Sequence, residues 1–275
     1  MRKILSLLLV FLLLCPPCYA EMNKPPLGSQ INWSHPLAKG LIGGWLVNEL
    51  TGRNLFAIGK IQGNKIAIKT WRRGNYVMFP NAKDGNFDAI SSLLQNIRGL
   101  SNGEFSFVIN LFCPTSTTAT VKYIFTNTAG NYLRVIATDA IVYYRKGYSG
   151  QATRTTVANT LTVGAWQQII VSKKPGSAGT TISIYKNGVE CTYSATGNAT
   201  LPFDPDSTTC RLGTDTSGNN FADFYFSYIY IYDRGLSFQE VKQLHIDPYC
   251  FIKRPSLYDL FKTAVAATRR IMFIQ

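Results

Sequence analysis

The sequence is short of acid. Its 275 residues hold 28 Lys and Arg against 15 Asp and Glu, a formal net charge of +13. Five glutamates are present, Glu21, Glu49, Glu104, Glu190 and Glu240, and none stands two residues from an aspartate. Two-carboxylate glycosidases need a protonated and an ionised acid across the scissile bond, and acids two apart on a strand face one cleft. Asp204 and Asp206 have that spacing, but Pro202 and Pro205 mark them as loop residues. Histidine is equally scarce, with only His35 and His245, which gives imidazole acid–base catalysis little support. No GxSxG, HExxH or P-loop pattern occurs. The chain is therefore read as no enzyme, with no required cofactor.

Cysteine is sparse as well. Beyond residue 20 there are four, Cys113, Cys191, Cys210 and Cys250, with no CxxC and no Cys/His cluster, which excludes the usual zinc spacings. An even count in an exported chain permits disulfides. Cys191 and Cys210 flank one Pro-containing loop and form the preferred pair; four unbridged thiols are the alternative. Basic residues form doublets, Arg72-Arg73 and Lys173-Lys174, rather than a stripe, so nucleic acid is not an expected partner. The basic excess favours anionic polymers or surfaces, or simply keeps the chain soluble. There is no internal repeat.

Long apolar runs are confined to the start. Arg2 and Lys3 precede Ile4–Leu14, and Cys18-Tyr19-Ala20 offers a small residue for cleavage. The run is too short for a span of roughly 20 residues, so 1–20 reads as a signal peptide and not a transmembrane anchor. Leu14 and Pro17 precede the two leader cysteines, which does not suit lipidation. Loss of Arg2 and Lys3 lowers the formal charge from +13 to +11, and the mature chain is expected to be secreted. Residues 21–30 are polar, carry Pro25-Pro26, and read as a flexible lead-in.

What the chain has in quantity is aromatic residues, 13%, within 46% hydrophobic residues and only 16% charged. That composition excludes disorder and favours β structure. The densest stretch is Phe221–Pro248. Period two places Phe224, Phe226, Tyr228, Tyr230 and Tyr232 on one face of a strand and Tyr225, Ile229 and Ile231 on the other. A strand apolar on both faces is expected at the centre of a covered sheet. Asp233-Arg234-Gly235 reads as a turn. Ser237 and Glu240 form a capping box for a short helix carrying Val241, Leu244 and His245 on one side, stopped by Asp247-Pro248.

Further strands are expected over 40–47, 75–80, 104–112, 121–126, 131–137, 140–145, 165–173, 181–186 and 189–193, with short strands within 51–71 and a short helix over 87–97. Asn187-Gly188 suits a type I′ hairpin turn. Residues 194–209 read as a polar loop. Residues 251–275 carry Lys253, Arg254, Lys262, Arg269 and Arg270 against Asp259. A loose apolar stripe from Leu257 to Met272 makes this a basic tail with a helical pattern, capped by Ser256 and Asp259.

The run IYIYDRGLSFQEVKQL at Ile229–Leu244 resembles the closing signature of LamG-like jelly-roll domains, of the concanavalin A-like lectin/glucanase superfamily. Arg234, Leu236, Ser237, Glu240, Val241 and Leu244 carry the match. Ile31–Glu49 resembles the opening of such domains, which implies a core role for Trp45 and makes His35 a capping or packing residue rather than a catalyst. The hairpin around Asn187-Gly188 and the segment Arg211–Asn220 also resemble family segments, and the resemblance covers 31–250. It implies an all-β, antiparallel two-sheet jelly-roll sandwich with one short helix after the last strand. At Trp71–Val77 the family often carries calcium-binding acids. Arg72 and Arg73 stand there instead, against a calcium site at that position.

Asp215, Asn219 and Asn220, before the closing strand, are the calcium-ligand candidates, and their residue types equally suit turns. Tyr143, Tyr144, Tyr148 and Trp71 are candidates by type for stacking on a sugar ring, without defining a site. Asn32-Trp-Ser and Asn198-Ala-Thr fit the N-glycosylation pattern. The expected function is that of an exported, non-catalytic recognition module for a carbohydrate or a glycosylated surface. The alternative is a structural or adhesive protein-binding component of a surface or virion appendage, and a glycoside hydrolase stands third.

Overall fold

In this computed structural model the described residues are 24–25, 29–46, 67–71, 74–78, 104–115, 121–127, 132–176, 178–203, 210–213 and 224–253. The expected signal peptide, the helix expected over 87–97, most of the stretch 51–71 where short strands were expected, and the residues beyond Lys253 lie outside them. The strands are β1 (Gln30–Ile31), β2 (Leu41–Trp45), β3 (Ala67–Trp71), β4 (Gly74–Met78), β5 (Phe105–Phe112), β6 (Lys122–Asn127), β7 (Tyr132–Val135), β8 (Ile141–Thr156), β9 (Trp166–Lys173), β10 (Ile182–Lys186), β11 (Val189–Glu190), β12 (Tyr193–Phe203), β13 (Cys210–Leu212), β14 (Tyr225–Tyr232) and β15 (Ile252–Lys253). Among the described residues one α-helix of nine residues occurs, Phe238–Ile246, and it follows β14.

An eight-stranded sheet has the order β11-β10-β9-β5-β14-β4-β3, with β2 pairing β14 beside β4. A five-stranded sheet has the order β12-β8-β7-β6-β13. All of these ladders are antiparallel. The inner faces meet in one core that holds Phe107, Ile109, Val171 and Ile184 from the large sheet and Phe125, Leu133, Ile141 and Tyr143 from the small one. Val108, Ile170 and Tyr185 point the other way, into a second cluster under the helix and both chain ends. The expected antiparallel two-sheet sandwich with one short helix after its last long strand is what forms.

β8 is 16 residues long. Fully extended at about 3.3 Å per residue it would span about 50 Å. Yet the Ile141 amide donates to Thr156 Oγ1 at 2.9 Å, joining its two ends. The element therefore doubles back, one arm pairing β7 and the other β12.

β14 corrects the face assignment made by simple alternation. Phe224 and Phe226 lie in the inter-sheet core with Ile229 and Ile231, while Tyr228, Tyr230 and Tyr232 lie in the outer cluster. The pairing with β5 shifts between Phe226 and Tyr228. One extra residue in a strand flips every side chain after it to the opposite face. Both faces are buried, as expected, but Ser227 divides the aromatics between them.

The capping box is present: the Ser237 side chain accepts from the Glu240 amide, and the Glu240 carboxylate accepts from the Ser237 amide at 2.8 Å. Arg234 locks the same corner, donating Nη1 to Glu240 Oε2 at 2.9 Å, Nη2 to Glu240 Oε1 at 2.6 Å and Nε to the Lys39 carbonyl at 2.8 Å. Burial alone would raise the Glu240 carboxyl, but the hydrogen bonds from Arg234 and Ser237 outweigh it and hold it below its usual range. His35 caps the 3-10 turn Pro36–Ala38 by accepting the Leu37 amide at Nδ1, 3.2 Å. Asn187 and Gly188 both have positive φ, 50° and 76°, as a type I′ turn requires.

Three further expectations change. Residues 193–203 form edge strand β12 instead of a loop; its Thr, Ser and Asn side chains disguise it, and an edge tolerates Pro202. Phe251 and Ile252 belong to the outer cluster and β15 pairs β1, so the body continues through Lys253. The Cys191–Cys210 bridge does not form: Cys191 is a free thiol, as is Cys250. Cys191 precedes β12 and Cys210 opens β13, at opposite edges of the five-stranded sheet. With β8 counted as its two arms, five strand spacings, about 24 Å, separate those edges, whereas a disulfide needs Cα atoms about 4.4–6.8 Å apart.

Lys24, in the lead-in, is held against the body. Its Nζ donates to the Leu46 and Ser227 carbonyls, each at 2.8 Å. Burial pushes its pKa down from 10.5 to about 7. The unfolded chain then binds the extra proton between about pH 7 and 10.5, so stability is expected to rise with pH across that window and to lose this contribution as pH falls through about 7. Denaturant unfolding of Lys24→Met from pH 6 to 10 should show that rise flattened. An unchanged slope would remove Lys24 as its source.

Candidate functional site

Alternation along β7 and the first arm of β8 decides what the small sheet shows to the outside. Leu133, Val135, Ile141 and Tyr143 enter the core, so Tyr132, Arg134, Val142 and Tyr144 face away from it. Tyr132 pairs directly with Tyr144 and Arg134 with Val142. From β6, Tyr123 pairs with Arg134. Three tyrosines and one arginine therefore meet on one face.

The side chains interlock. The Tyr132 and Tyr144 rings stack with centroids 4.4 Å apart and planes 13° apart. Tyr123 meets Tyr132 edge-on at 5.7 Å. The Arg134 guanidinium lies 4.4 Å from the Tyr132 centroid and 5.8 Å from that of Tyr123, and its Nη1 donates to the Tyr123 hydroxyl at 3.2 Å. Cation–π contact and cross-strand stacking both favour this arrangement. Burial raises the Tyr132 hydroxyl above its ordinary pKa, Arg134 partly opposing it, so the phenol stays protonated at neutral pH. The four residues are half-buried. Chemically this is a rigid apolar platform rimmed by hydrogen-bond donors, suited to the apolar face and the hydroxyls of a sugar.

Of the four aromatics singled out by type, Tyr144 belongs to this face. Tyr143, its neighbour, is 3% exposed and fills the core. Tyr148 lies in β8 and Trp71 ends β3, and their side chains fall outside the described residues. Tyr123, Tyr132 and Arg134 were not anticipated, because nothing local in the sequence shows that β6, β7 and β8 are neighbours. Asp215, Asn219 and Asn220 lie outside the described residues. Among the described residues no group of three metal-ligating side chains occurs.

A second aromatic row crosses the large sheet, where Phe112 stacks on Tyr225 at 5.6 Å and tilts against Trp166 at 5.7 Å. Other titratable groups have structural duties. Lys173, fully buried, donates Nζ to the Lys174 and Gly176 carbonyls and to Thr181 Oγ1, so half of the Lys173-Lys174 doublet clamps a loop. His245 is half-buried in the last helical turn, its pKa lowered by burial, against the Asn187-Gly188 turn.

A family model described as the concanavalin A-like lectin/glucanases superfamily matches residues 74–242. No curated protein sequence matches the chain. Among solved structures, the binding domain of Paraclostridial Mosquitocidal Protein 1 is similar with a TM-score of 0.54 at 12% identity, over 76% of this chain and 52% of that one. The botulinum neurotoxin serotype G binding domain gives 0.56 at 10% identity, over 76% of this chain and 51% of that one. Trypanosoma rangeli sialidase gives 0.51 at 12% identity, over 85% of this chain and 37% of that one. The chain thus spans about half the length of the toxin domains it matches, and at these identities the likeness is one of fold.

Proposed function

The chain belongs to the concanavalin A-like lectin/glucanase superfamily, and from that premise we propose that it is an exported, non-catalytic recognition module whose tyrosine face on the five-stranded sheet binds a carbohydrate or a glycosylated surface. The observation that carries this reading is the stacked Tyr132–Tyr144 pair with Arg134 over it. A cross-strand ladder fixed on three paired strands pays little entropy on binding. Two relatives in fold are named as binding domains of toxins, which agrees with a recognition role. The acids whose contacts are described support a non-catalytic reading. Glu240 is engaged by Arg234 and Ser237, and Glu190 accepts the Tyr193 hydroxyl at 2.9 Å.

The test is a glycan array probed with the mature protein, repeated with chelator to assay the calcium reading of Asp215, Asn219 and Asn220. Tyr144→Ala should weaken binding to the best glycan by about tenfold, equivalent to about 1.4 kcal/mol, with an unchanged melting temperature. A folded protein that binds no glycan would sink the proposal.

One observation favours the adhesive, protein-binding reading. Val189, Phe238 and Ile246 are 67%, 42% and 71% exposed. Gly188 lies against His245, and Phe238 contacts Tyr185 of β10, so the helix and the β10–β11 hairpin are packed together where these side chains are exposed. Light scattering decides that case: a stable oligomer dispersed by Ile246→Lys, together with a blank array, would favour it.

A further inference from the structure

Arg134 differs from Arg234 in one respect that bears on ligand chemistry. Arg234 spends its fork on Glu240, the two side chains 20% and 22% exposed. Arg134 is held as firmly, against two tyrosine rings, yet among the described residues it meets no carboxylate. Its one described hydrogen bond is to a neutral phenol, and its Nε is enclosed without a partner. A guanidinium has five N–H donors in a planar fork that matches an oxyanion bidentately. Held in place by ring contacts, such a group loses little side-chain freedom when an anion arrives.

Among the described residues of these three strands, none supplies a counter-charge. The residues that pair across β6, β7 and the first arm of β8 on this side are Tyr123, Tyr132, Arg134, Val142 and Tyr144, none acidic. The whole chain carries +13, which raises the local concentration of anions without choosing among them. Selection would come from the fork and the platform together.

Resting on the carbohydrate-binding reading above, we infer that the ligand of this face is an anionic saccharide, its carboxylate or sulfate oxygens taken by the Arg134 guanidinium while the ring packs against Tyr144 and Tyr132. The shared chemistry is an oxyanion on a sugar. Carboxylate and sulfate are its two sources.

Calorimetry separates them with paired probes: oligogalacturonate against its methyl ester, and isomaltohexaose against its sulfated form, titrated into the mature protein at low salt. At least one anionic member should bind about tenfold more tightly than its neutral partner, and whichever pair shows the preference identifies the anion. Arg134→Gln should abolish that preference, bringing the anionic and neutral members of the pair to within about twofold of each other. Lys39→Gln, which removes an exposed surface charge, should preserve it, showing that net charge is not the cause. If Arg134→Gln does not fold, Arg134→Lys keeps the charge and loses the fork, and should lower the ratio of anionic to neutral affinity at least threefold. Equal affinity within both pairs, or a preference that survives at Arg134→Gln, overturns the inference. If Tyr144→Ala still weakens binding about tenfold in that case, the carbohydrate reading stands. Failure of all four probes to bind overturns the inference, and the glycan array then decides the carbohydrate reading.

Discussion

A chain lacking Ser227 is expected to yield no folded protein. Ser227 is the extra residue of the bulge at which the β14–β5 pairing shifts. Its removal leaves two outcomes. If Phe224 and Phe226 keep their places in the inter-sheet core, Tyr228, Tyr230 and Tyr232 turn into that core and Ile229 and Ile231 turn out of it. Three phenols would then need space now filled by two isoleucines, with their hydroxyls among Phe107, Ile109 and Val171. If instead Tyr228–Tyr232 keep their places, Phe224 and Phe226 leave the core. The Lys24 contact to the Ser227 carbonyl is lost either way. Overpacking costs about 1–3 kcal/mol per group, and the Tyr228 hydroxyl would also lose the hydrogen bond it accepts from Gln168 Nε2; several such losses together reach the stability of about 5–15 kcal/mol typical of a domain. Ser227→Ala, which keeps the residue count, should fold. Circular dichroism of the two variants checks this. A soluble deletion variant with a cooperative transition would show that β14 absorbs the register change.

The second large effect is expected at Trp45. It lies at 0% exposure in the inter-sheet core, paired with Ile229 of β14. Trp45→Ala should cost about 3–5 kcal/mol, the usual range for truncating a large buried aromatic, because surrounding strands relax only partly into the cavity. Trp45→Phe should cost far less. The indole Nε1 is buried with no hydrogen-bond partner, so phenylalanine removes an unmet donor while it loses volume. Guanidinium denaturation midpoints of both variants measure the difference. Equal losses for the two would mean that the indole ring as a whole, not a generic aromatic volume, is what the core requires.

Local pattern made much of the framework legible. The 104–112 stretch alternates and contains β5, and the 165–173 stretch, also read as a strand, contains β9. Asn187-Gly188 announces its turn, since few other dipeptides accept positive φ twice. Ser237 and Glu240 announce the helix start by spacing alone. β12 stayed hidden because an edge strand need not be apolar. The return arm of β8 stayed hidden because its Thr and Gln side chains carry no core signal, Ala152 apart. The candidate face was legible only in Tyr144, one aromatic among many.

The feature that organises this molecule is still β14, and it shows where each kind of information resides. The sequence by itself determined that the strand is apolar on both sides, that a turn and a capped helix follow it, and that the chain is basic and poor in acids. These are local properties, set by side-chain type and by a period of two or of about 3.6 residues. Only the tertiary structure decided that Phe224 and Phe226 part company with Tyr228, Tyr230 and Tyr232, that Cys191 and Cys210 stand at opposite sheet edges, and that Tyr123, Tyr132, Arg134 and Tyr144 share a surface. Register, bulges and cross-strand neighbours depend on which strands pair, and pairing joins residues far apart in the chain that no short window contains.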